Sequence, residues 1–78
     1  MPMTSPFPER VRANVRAEVA RAGLSQTDLA EGLHTTQQAI SRRMSGKVPF
    51  DVAEIEAIAE FLGIPVSALL PVTVGGAA

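Results

Sequence analysis

Valines recur every four residues at positions 11, 15 and 19 between Glu9 and Ala22, and Ala22 extends the line. That spacing is the apolar stripe of an amphipathic helix, and Gly23 stands where a helix stops. Ser25 and Asp28 have the spacing of a capping box and open a second helix whose inward side is Leu29, Ala30 and Leu33. Ala30 is small enough to let a crossing helix approach. Gly32 costs about 1 kcal/mol relative to alanine inside a helix and marks this one as short.

Thr35 and Thr36 can each cap a third helix. If Thr35 caps, Gln38 occupies the capping-box partner position; if Thr36 caps, Gln37 and Gln38 are the first helical residues and face outward. Ile40 and Met44 supply the buried face, with Ala39 at its edge, and the sequence Ser45-Gly46-Lys47 ends the helix. Asp51 and Glu54 repeat the capping-box spacing ahead of a fourth stripe, Val52, Ile55, Ile58, Ala59 and Leu62, which Gly63 terminates. Pro65 suits the first turn of a very short fifth helix reaching Leu70, where Pro71 stops it. No strand pattern and no internal repeat occur. The expected fold class is all-α: a compact bundle of about five short helices over residues 9–70, with flexible segments at 1–8 and 71–78.

Composition narrows the function. A chain of 78 residues supports one small core. Zero cysteines remove disulfides, thiolate metal sites and cysteine nucleophiles, and the single histidine, His34, cannot build a histidine-rich metal site. No phosphate-binding glycine loop is present, and there is no second lobe to wall a substrate cleft. Glu56 and Glu60 lie one turn apart with nothing to bury them and tune an acid–base pair. An enzyme, a cofactor, a metal and a small-molecule substrate are therefore not expected.

The opening MPMTSPFPER lacks the apolar run of a signal peptide. Residues 61–78 carry no charge, but Pro65, Pro71 and three glycines interrupt them and no basic residues flank them, so they read as a last core helix and a tail rather than a membrane segment. A cytoplasmic location is expected.

Net charge is −1, yet its distribution is uneven. Residues 34–50 hold Arg42, Arg43 and Lys47 with no acid, whereas residues 51–63 hold Asp51, Glu54, Glu56 and Glu60. A molecule polarised in this way can orient on a duplex despite its overall charge. Glutamine and arginine carry the planar groups that pair bidentately with adenine and guanine edges in the DNA major groove. Arg42 and Arg43 also suit a helix C-terminus electrostatically, but that does not account for the paired glutamines at the other end.

From Leu24 to Leu70 the chain resembles the DNA-binding domain of lambdoid phage repressors and Cro proteins, the XRE-type helix-turn-helix family. The resemblance rests on Gln26, Ala30, Leu33, the run Thr35-Thr36-Gln37-Gln38, Ile40, Ser45-Gly46-Lys47 and LGIPVSALL, in that order. It implies base reading by Gln37, Gln38 and Arg42, with Ser41 on the same outward side. It also implies phosphate contact by Gln26 at the start of the second helix and by Ser45 and Lys47 beyond the third; Thr36 and Arg43 complete the expected phosphate set. Members of the family dimerise through the last helix and nearby loop, which here means Pro65, Val66 and Leu69.

Three features depart from the family pattern. His34 stands where glycine is common and the backbone needs positive φ, a region histidine tolerates better than branched residues. Arg43 replaces an apolar core residue; Met44 takes over the packing and leaves Arg43 for phosphate or for an ion pair. A lysine-rich N-terminal arm is absent from these residues. The expectation is a homodimeric, sequence-specific regulator that binds double-stranded DNA at a palindromic operator, of phage Cro or short-repressor type. The alternative is an antitoxin or anti-repressor module that works through protein contacts.

Overall fold

The computed structural model describes residues 6–71. Within them the chain forms α1 (Phe7–Arg21), α2 (Gln26–Gly32), α3 (Gln37–Met44), α4 (Val52–Leu62) and a 3-10 turn, Val66–Ala68. The all-helical architecture matches the sequence pattern, with one correction at the C-terminal end. Pro65 and Pro71 bracket too few residues for an α-helix, so the segment closes only i to i+3 bonds: the Ala68 N–H donates to the Pro65 carbonyl and the Leu69 N–H to the Val66 carbonyl, both at 2.9 Å.

α1 starts two residues earlier than its valine stripe suggests. Pro6 is the N-cap and its carbonyl accepts from the Glu9 and Arg10 N–H groups, while Pro8 sits in the first turn, where its missing N–H costs nothing. Phe7 and Pro8 are thus helical and do not belong to a flexible terminus. The remainder of that expected segment, residues 1–5, lies outside the described residues, as do residues 72–78 of the expected C-terminal tail.

The core is formed by Val11, Val15 and Val19 from α1, Leu29 and Ala30 from α2, Ile40 and Met44 from α3, Ile55, Ile58 and Ala59 from α4, together with Phe50 and Leu69. Leu24, Leu33, Leu62, Ile64 and Leu70 pack against it half-buried. Burying a large aliphatic side chain stabilises by about 1.5–3 kcal/mol, so this set holds the small domain together.

Two stripe positions fall outside the core. Ala22 is the exposed C-cap of α1, and Val52 is 80% exposed because the first residue of α4 lies beyond the edge of the packed layer. Leu69 is completely buried. It belongs to the core of one chain and is not available where two chains meet, which corrects its expected place in a dimer interface.

Gly32 is the last residue of α2, and its missing side chain matters for packing. A Cβ there would collide with the ring of Phe61, so the α4 aromatic can lie against α2 only where no side chain intervenes. The same logic of close approach applies to Ala30, which is buried at 3% exposure.

Candidate nucleic-acid interface

The capping box that opens α2 forms with both of its hydrogen bonds. The Asp28 N–H donates to Ser25 Oγ at 3.0 Å and the Ser25 N–H to Asp28 Oδ2 at 2.9 Å. The Ser25 N–H that donates to the carboxylate is the main cause holding the Asp28 carboxyl below its usual value, and the adjacent Ser25 hydroxyl is the second. The box sets Gln26 as the first residue of α2, half-buried at the helix start.

The turn between α2 and α3 is a Schellman closure with a histidine in the left-handed position. His34 has φ 57°, its N–H donates to the Glu31 carbonyl at 3.2 Å, and the Thr35 N–H donates to the Ala30 carbonyl at 2.9 Å. The position expected to need positive φ therefore has it. A left-handed residue other than glycine costs about 1–2 kcal/mol, and the turn holds because α2 and α3 are packed on either side of it.

Thr36, and not Thr35, caps α3: its Oγ1 accepts from the Ala39 N–H at 3.0 Å. Gln37 and Gln38 are consequently the first two residues of α3, and both are exposed. Gln38 is not tied up as a capping-box partner. Ser41 and Arg42 are exposed on the following turn, while Ile40 and Met44 point into the core. The four side chains expected to read bases thus share the solvent side of α3. Thr36, Ser45 and Lys47 are exposed at its two ends, and Ser45 Oγ donates to the Arg42 carbonyl at 3.1 Å.

Arg43 turns the other way. Its Nε lies 2.5 Å from Glu54 Oε2, and Nη1 donates to the Ala39 carbonyl at 3.4 Å. The Nε N–H does not lie along the line to the carboxylate, so this contact is an ion pair without an aligned hydrogen bond. Glu54 Oε1 meanwhile accepts from the Asp51 N–H at 2.9 Å, so one carboxylate both caps α4 and ties it to α3. Of the two roles open to Arg43, the structure shows the ion pair. Exposed positive charge on this side therefore comes from Arg42 and Lys47.

The helical pattern does not single out Arg12 and Arg16. Each donates from Nη1 to the Met44 carbonyl oxygen at 3.3 Å, joining α1 to the end of α3. The only local signal is their spacing of four, which puts them on one side of α1. Among the described residues, no helix is long and apolar enough to cross a membrane.

A helix-turn-helix family model matches residues 15–69, from the middle of α1 to the buried Leu69. Among solved structures, the fold is similar to the clp gene regulator ClgR from C. glutamicum, with a TM-score of 0.79 at 21% identity over 96% of this chain and 97% of that one. It is also similar to the hypothetical transcription factor NHTF from Neisseria, with a TM-score of 0.67 at 25% identity over 91% and 85% of the two chains. HppE in its apo form shares the fold with a TM-score of 0.75 at 18% identity; 85% of this chain is covered, but only 37% of HppE. No curated protein matches the sequence. With its helix order, its left-handed turn and a family match over well more than half its length, the chain belongs to the XRE-type, lambda repressor/Cro-like family of helix-turn-helix domains.

Proposed function

We propose that this protein is a transcriptional regulator that binds double-stranded DNA by laying α3 in the major groove. The observation that carries this reading is the exposure of Gln37, Gln38, Ser41 and Arg42 on one side of α3, with Thr36 rather than Gln38 engaged in capping. These side chains present the donors and acceptors that match adenine and guanine edges. Gln26, Thr36, Ser45 and Lys47 flank them as phosphate contacts that fix register without carrying sequence information. Exposed Arg42 and Lys47 lie on α3 and just beyond it with no acid between Gln37 and Lys47, whereas α4 carries exposed Glu56 and Glu60. This uneven distribution can help orient the molecule on a duplex. Regulation needs no chemistry: a protein covering an operator occludes polymerase. A phage Cro or short-repressor role in the bacterial cytoplasm fits this economy of parts.

The deciding experiment is selection of bound sites from a random duplex library. A two-fold symmetric motif is the expected result, and failure to enrich any sequence overturns the reading. Salt dependence supplies a second check. Lys47→Ala should weaken binding to all duplexes alike and flatten the log–log salt slope by about 0.9, the release associated with one phosphate. Affinity that is unchanged between low and high salt would mean that the docking side is misassigned.

The protein acts as a homodimer on half-sites about 34 Å apart, since one recognition helix reads too few base pairs to locate an operator. Support comes from exposed apolar side chains near Pro65. Val66 is 38% exposed and lines a groove with Phe7, Val52, Ile55, Glu56 and Leu70. Val66→Glu is expected to leave the monomer folded and to break pairing. Sedimentation on the selected duplex should then change from two chains per site to one. A one-to-one complex for the unsubstituted protein removes the dimer.

A further inference from the structure

An α-helix leaves its last four carbonyls without intrahelical donors. At the end of α3, three of the four are met locally. The Ser45 N–H donates to the Ser41 carbonyl at 2.9 Å, the Lys47 N–H to the Arg42 carbonyl at 3.0 Å, and the Gly46 N–H to the Arg43 carbonyl at 3.2 Å. Gly46, at φ 90°, takes the left-handed position that this closure requires. Among the described residues, no backbone N–H reaches the Met44 carbonyl. It is met from α1 by Arg12 and Arg16, whose guanidiniums each donate to it at 3.3 Å. A Cβ on Gly46 would stand 3.2 Å from Arg12 Nε, so the glycine also leaves room for that guanidinium against the turn.

We propose that Arg12 and Arg16 are positioning residues for the recognition helix. Two cations converging on one carbonyl satisfy the remaining acceptor and complement the negative end of the α3 dipole. The brace ties the last turn of a helix of eight residues to α1, the longest helix among the described residues. The end so fixed carries Arg42, Ser45 and Lys47, so its attitude sets how the far half of the reading surface meets the duplex. Recognition groups must be held within about 0.5 Å of a productive geometry, and a helix under three turns long has little stiffness of its own. The consequence for DNA rests on the major-groove reading given above; the brace itself does not.

The test uses the full chain with Arg12→Met and Arg16→Met together, which keep unbranched stems and helix propensity while removing the donors. In the free protein, amide hydrogen exchange at Ser45 to Val48 should accelerate at least about fivefold, the scale of a lost charge-assisted hydrogen bond after allowance for exposure. Exchange in α4 should stay unchanged. Lysines at both positions, which can still donate to the carbonyl, should restore part of the protection. On DNA, the ratio of selected-site to random-site affinity should fall about fivefold or more, the low end of one bidentate base contact, while the salt slope is unchanged. A slope reduced by about 0.9 per arginine with the ratio preserved makes both residues phosphate contacts and overturns the proposal. Unchanged exchange at Ser45 to Val48 overturns the brace. Should the double variant not fold, Arg16→Met alone carries the same readouts, because Arg16 is exposed and leaves no buried gap. If the unsubstituted protein selects no site, the major-groove reading fails with its DNA consequence, and exchange alone decides the brace.

Discussion

Gln37→Ala or Gln38→Ala is expected to cost about 1–3 kcal/mol of binding at the selected duplex and little at random duplex, because a bidentate amide–adenine pair discriminates by that amount. At least one of the two should behave this way. The expectation depends on local geometry. Thr36 takes the capping bond from the Ala39 N–H, so neither glutamine amide is needed to hold the helix start, and both are exposed. Alanine at either position should therefore leave the fold intact, and the whole effect should appear in recognition. Arg42→Ala should act in the same direction with a preference for guanine, since its guanidinium is exposed and, among the described residues, paired with no acid, unlike that of Arg43 beside Glu54. Fluorescence anisotropy on selected and scrambled duplexes, at one salt concentration, separates the cases. Equal weakening on both duplexes reassigns the residues to backbone contact.

What is legible in the sequence follows the range of the interactions involved. Ser25 with Asp28, and Asp51 with Glu54, meet within one turn, so their spacing alone announces both helix starts. The outward side of α3 follows from the same local chemistry, given that Thr36 rather than Thr35 is the cap. His34 is readable only through the family pattern, in which glycine is common at that position and the backbone takes positive φ; the closure that demands it is seen in the structure. The residues that are not legible depend on distant partners. Arg12 and Arg16 meet the Met44 carbonyl across 32 and 28 positions of sequence, and nothing in the α1 stripe reports this. Phe50 lies in a loop without periodicity and is nevertheless buried, whereas Val52 continues a perfect stripe and is exposed. Periodicity identifies a side of a helix; it does not say how far along the axis the core extends.

Leu69 illustrates that limit and carries the largest expected change in stability. Its neighbour three residues earlier, Val66, is 38% exposed, while Leu69 is fully enclosed by the core. The backbone there is anchored as well, since Asn14 Nδ2 donates to the Leu69 carbonyl at 3.2 Å and joins the C-terminal segment to α1. Leu69→Ala keeps that bond and leaves a cavity, so it should destabilise the fold by about 2–5 kcal/mol. In a domain of this size each kcal/mol moves the thermal midpoint by about 4–8 °C, so the change is well within reach of a melting experiment. Dilution distinguishes the core role from a role between chains. A side chain buried within one chain contributes the same free energy at every protein concentration, whereas an interface residue contributes only while the dimer is populated. The loss on Leu69→Ala should therefore persist unchanged as the protein is diluted below its pairing range. If the loss instead shrinks with dilution, Leu69 returns to the surface between two chains, and the segment from Pro65 to Leu70 closes a dimer rather than the core of one molecule.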